Sequence, residues 1–124
     1  MFKNSIATAL VGLIVAENSF EKVNVEGLGN IGVKLLTAGD RSKIYENNKD
    51  LKDIPFFAVV MKETVVDPES GELALTEVSL EKLARLSPVV VDDFVLKTFH
   101  LNGFAKREKE KGQEDLKNLE TDQS

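Results

Sequence analysis

Residues 23–45, VNVEGLGNIGVKLLTAGDRSKIY, change their hydrophobic period across one short turn, and this limits the available folds more than any other stretch. Val23 and Val25 alternate with Asn24 and Glu26, and Ile31, Val33 and Leu35 alternate with Gly32 and Lys34. A period of two on both sides of Gly27-Leu28-Gly29-Asn30 predicts a β-hairpin with one buried face. The loop residues suit positive φ, which a side chain branched at Cβ resists. Thr37 then offers a hydroxyl to an orphan N–H of a helix, and Asp40 adds negative charge to that helix's first turn. A hairpin feeding a helix predicts an α+β fold, and the remaining segments make it mainly helical.

Before the hairpin, residues 6–16, IATALVGLIVA, carry no charge. They predict a short helix buried on most sides, partly against another subunit, with a strand over residues 13–16 as the competing reading. Gly12 weakens an isolated helix by roughly 1 kcal/mol relative to Ala, so packing has to hold it. The run is too short to cross a bilayer, which takes about 20 apolar residues. Cleavage after Ala16 would set bulky Ile14 where a small residue is preferred, which argues against a secretory signal.

After the hairpin, a helix is predicted over residues 38–47. Pro55 and the apolar block that follows it favour a helix, with a strand as the alternative. Residues 67–71, DPESG, form a turn whose flanks, residues 65–66 and 73–75, can pair. Thr76 is positioned to cap a helix reaching Leu86, with Leu80, Leu83 and Leu86 on one stripe. Ser87-Pro88 starts another, in which Val91, Phe94, Val95, Thr98 and Phe99 face the core and Val90, Leu96 and Leu101 widen the stripe. Asn102-Gly103 stops it. Residues 1–104 are therefore expected to fold as one domain, and residues 105–124, almost without apolar side chains, to form a disordered or frayed charged tail.

Composition narrows the functional classes. With no Cys and one His, neither a disulfide framework, a thiolate nucleophile nor a structural zinc site is expected. A net charge of -5 argues against a nucleic-acid surface, which needs clustered Lys and Arg. Asp92 and Asp93 are adjacent and diverge on a helix, so they read as first-turn acids rather than an acid/base pair. His100 reads as a residue near a helix C-terminus, and the Gly-rich loop as a hairpin turn, not a phosphate loop. No catalytic, cofactor-binding or metal-binding residue is assigned. The expected partners are proteins, with no nucleic acid and no membrane.

The order VxVxGLGxIxVKxLTAGDR, then a charged helix, an apolar segment, DPESG, a Leu-rich helix and LNGF, resembles the tail assembly chaperones of long-tailed bacteriophages over residues 20–104. Residues 1–16 lie outside that resemblance. The resemblance implies a protein that binds the tape measure protein, keeps its apolar helices soluble and helps recruit tail-tube subunits. It further implies action in the host cytoplasm, absence from the mature virion, and in many members a longer form made by translational frameshift, for which the tail is the natural joining point. The alternative class is a small structural virion protein, a tail-tube or head-tail completion subunit.

A lone hairpin has two unpaired edges, and the apolar N-terminal run offers more surface than this chain easily covers. A factor coating an extended client also gains when its copies touch. Ile6, Leu10, Leu13, Val23, Val25, Ile31 and Val33 are thus the candidate protein-interaction residues, expected to mediate self-association into an open spiral or other homo-oligomer.

Overall fold

The computed structural model describes residues 4–104, and the expectation of a disordered tail over residues 105–124 lies outside them. Five helices and three strands follow in the order α1 (Ser5–Val11), β1 (Phe20–Val25), β2 (Gly29–Lys34), α2 (Ala38–Lys49), α3 (Phe56–Thr64), β3 (Val65–Val66), α4 (Leu80–Leu83) and α5 (Pro88–Thr98), closed by a 3-10 turn, Phe99–Asn102. The sheet is antiparallel with order β1-β2-β3. The fold is α+β.

The hairpin register pairs Val23 with Ile31 and Val25 with Gly29. Leu28 N donates to Val25 O at 3.0 Å across the loop, and Gly27 and Gly29 take φ of 83° and 78°, values that bar most side chains. Alternation then sends Val25, Ile31 and Val33 to one buried face. On the opposite face the Phe20 ring lies over Gly32, where an added Cβ would stand 2.9 Å from the ring and 2.6 Å from Val66 Cγ2. Gly32 permits close approach of three strands. β3 pairs with β2 at Gly32 and Val33, so the hairpin gains the third strand that a marginal two-stranded unit needs.

The flanking turns follow local chemistry. Thr37 Oγ1 accepts from Asp40 N at 3.0 Å, and Asp40 Oδ2 in turn accepts from Thr37 N at 3.4 Å, closing the capping box of α2. The Thr37 contacts hold the Asp40 carboxyl below its ordinary value. Asp67 Oδ1 accepts from Glu69 N and Ser70 N at 2.8 and 2.9 Å, Gly71 takes φ 77°, and Val66 bridges to Leu73. The Pro55 segment is the helix α3, buried at Ala58, Val59, Val60 and Met61. The Thr76 expectation needs correction. Val78 N bonds Leu75 O in a turn, and Ser79 instead caps α4 by accepting from Lys82 N at 3.2 Å, so the helix is one turn long.

The core joins the inner face of the sheet to α3 and α5, with Ile44 from α2 and Leu83 from α4. Within it, aromatic rings link distant segments. Tyr45 stacks on Phe56 with centroids 5.4 Å apart, Phe56 meets Phe104 at 5.5 Å, and Phe99 meets Phe104 at 5.3 Å and Phe94 at 6.2 Å. Such pairs contribute about 0.5–1.5 kcal/mol each beyond their buried area. Ser87 and Pro88 start α5 as expected, and Gly103 ends the 3-10 turn at φ 77°.

Candidate protein-interaction surfaces

Asn102 ties the end of the 3-10 turn to the exit of β2. Its Oδ1 accepts from Leu36 N at 2.7 Å and its Nδ2 donates to Lys34 O at 2.9 Å, so one side chain extends the backbone pairing of the sheet. The Arg41 guanidinium packs against Gly103, and the φ of 77° is what favours glycine at that position. The two motifs LTAGDR and LNGF are therefore neighbours in space. Their residues build the fold rather than an exposed site.

A second tie holds the hairpin loop to α5. Asp93 Oδ2 accepts from Glu26 N at 2.7 Å, and Lys97 Nζ reaches both Asp93 Oδ2 at 3.0 Å and Asn24 O at 2.9 Å. The Glu26 amide first, and Lys97 second, hold the Asp93 carboxyl below its ordinary range. The first-turn reading of Asp92 and Asp93 is corrected, because α5 begins at Pro88 and carries no acid in its first turn. Asp93 acts as a clamp on the end of β1, where it and Lys97 satisfy one backbone donor and one acceptor.

The hairpin residues expected to meet partners are internal. Val25, Ile31 and Val33 are buried beneath α3 and α5, and Val23 is half-buried against the same core. Alternation identified one face correctly, but helices of the same chain cover it. Within this chain Val23, Val25, Ile31 and Val33 are taken up by intramolecular packing.

The N-terminal segment shows the opposite departure. Asn4 Oδ1 accepts from Ala7 N at 2.7 Å and starts α1, while Leu13 N and Ile14 N continue the coil by bonding Leu10 O and Val11 O. The strand alternative over residues 13–16 is not formed. No residue of α1 is buried, and Ile6, Leu10, Leu13 and Ile14 are 74%, 60%, 77% and 72% exposed. The expectation of a helix buried on most sides is overturned within this chain, because residues 15–19 turn the chain into β1 and leave the segment as an arm. Asn18 takes φ 60° at that turn.

A second apolar surface lies on α5. Phe57, Val91, Asp92, Val95, Leu96 and Phe99 line a cleft of about 480 Å³. Leu96 forms a ridge between it and an adjoining hollow bordered by Glu26, Val89, Asp92 and Asp93. Leu96 and Val89 are 74% and 65% exposed, so Leu96 does not widen the buried stripe as its sequence position suggested. The signal for this outer face was the seven-residue spacing of Val89 and Leu96, two turns apart, while Phe94 and Thr98 mark the inner face.

Among the described residues no three His, Cys, Asp or Glu side chains gather in a group able to hold a metal ion, and no helix is long and apolar enough to cross a membrane. His100 is exposed on the 3-10 turn Phe99–Asn102. Searches with this chain match no protein-family model, no curated protein and no solved structure.

Proposed function

We propose that this chain is a non-catalytic tail assembly chaperone of a long-tailed bacteriophage. It holds apolar helices of the tape measure protein in solution, helps recruit tail-tube subunits, acts in the host cytoplasm and is left out of the finished virion. A longer frameshifted form would join after the folded domain. The ordered motifs over residues 20–104 support the family, and one structural observation supports the mode of action: an acidic domain exposes an apolar arm and an apolar helix face together. Amphipathic helices dock on such faces through residues spaced three, four and seven apart. Leu96, being on the surface, can contribute to client contact without being needed for folding.

Co-expression with tape-measure fragments is expected to raise their soluble yield, and Leu96→Asp to reduce it while leaving circular dichroism unchanged. Mass spectrometry of purified tails should find no copies of the chain. Stoichiometric copies in the tails would instead support a tail-tube or head-tail completion subunit.

A further inference from the structure

We infer that the outer face of α5 takes an amphipathic helix that carries Arg or Lys midway between two apolar residues seven apart. The inference rests on the reading of this face as a client-contact surface and adds the chemistry by which the face selects. Val89 and Leu96 stand two turns apart on α5, about 10 Å at 1.5 Å per residue, and both are exposed. Asp92 lies between them, three residues from one and four from the other, so all three share one face. Asp92 and Leu96 border both the cleft over Phe57 and Phe99 and the adjoining hollow beside Glu26. A ligand that fills either depression therefore covers the Asp92 carboxylate.

The neighbouring charges leave that carboxylate unanswered. Lys97 Nζ is engaged by Asp93 Oδ2 at 3.0 Å and by Asn24 O at 2.9 Å, so it serves the hairpin. Asp93 in turn accepts from Glu26 N at 2.7 Å. Among the described residues no ion pair includes Asp92 or Glu26, and both are exposed, so water solvates them in the free protein. Under a docked helix Asp92 loses part of that water, and a covered charge without a counter-charge offsets the gain from apolar contact. A cation on the ligand, placed opposite Asp92, removes that cost. Arg suits the position best, because its guanidinium is weakly hydrated and meets a carboxylate through two parallel hydrogen bonds. The two apolar anchors supply attraction, and Asp92 rejects helices with a neutral or acidic residue at the midpoint. Glu26 adds negative charge at the edge of the hollow and disfavours acidic ligands further.

The test uses the full-length protein and fluorescent designed helical peptides of about 20 residues, with Leu at two positions seven apart and Arg, Gln or Glu midway between them. In anisotropy titrations the Arg peptide should bind about tenfold more tightly than the Gln peptide, and the Glu peptide more weakly still. The preference should shrink as salt is added, because the pair lies near the surface. Asp92→Lys should reverse the order in favour of the Glu peptide with unchanged circular dichroism, Asp92 being exposed. Leu96→Asp should weaken binding of the Arg peptide through loss of an apolar anchor. Equal affinity for the Arg and Gln peptides, an order that Asp92→Lys leaves in place, or no binding of any peptide would overturn the inference. Tape-measure fragments that stay insoluble beside a protein that still prefers the Arg peptide would instead remove the proposed client and leave the selectivity standing.

Discussion

The hairpin and the N-terminal arm are both rich in β-branched and aliphatic residues, yet one lies in the core and the other in solvent. Val25 and Val33 are each 1% exposed, whereas Leu13 is 77% exposed. Their difference lies in what fixes them to the rest of the chain. The hairpin is held at its loop by Asp93 and Lys97 and at its exit by Asn102, so its apolar face is presented to α3 and α5 at a defined height. Among the described residues no comparable bond runs from residues 5–14 to a distant element, since their hydrogen bonds reach only nearby residues. Hydrophobicity alone is non-directional, and directional polar ties decide which apolar surface reaches the interior.

The comparison can be broken most severely in the core. Phe94→Ala removes a fully buried ring that contacts Phe99, and should cost about 3–5 kcal/mol in urea unfolding. A smaller loss is expected from Gly32→Ala, whose new methyl must displace the Phe20 ring and Val66, at about 1–3 kcal/mol. Chemical-shift changes in that variant should centre on Phe20, Val66 and Gly71, because the ring also rests against Gly71.

The clamp gives a pH-dependent version of the test. Asp93 has a folded-state value depressed below 3.8, so its contribution to stability is present above that pH and is lost as pH falls below it through the folded value. Asp93→Ala should therefore lower stability at neutral pH, and the gap from the parent protein should narrow under acid. Asp40 and Asp67 are shifted the same way, so the parent also loses stability in that window, and only the difference between the two proteins isolates the clamp. The smallest effect belongs to the arm. Leu13→Ser should change the unfolding free energy of the monomer by no more than about 0.5 kcal/mol, as expected for a surface position. A loss comparable to that of Phe94→Ala would place the arm in the core and remove the contrast.

The sequence by itself determined the elements whose causes are local. The hairpin loop, the Thr37–Asp40 capping box, the turn at Asp67, the Ser87-Pro88 start and the Gly103 stop each depend on residues within a few positions of one another. The inner stripe of α5 was equally legible, because Phe94 and Thr98 repeat at helical spacing. Tertiary structure alone decided which apolar surfaces were covered. Leu96 and Val91 are close on one helix and similar in chemistry, and the placement of Phe57 and Phe99 beside them makes a cleft there. Asp93 reaches Glu26 across 67 positions of sequence, and no local pattern encodes that meeting. Local chemistry fixes dihedral angles within a turn or two. Burial depends on which distant elements compete for the same face, and that competition is resolved only when the whole chain packs.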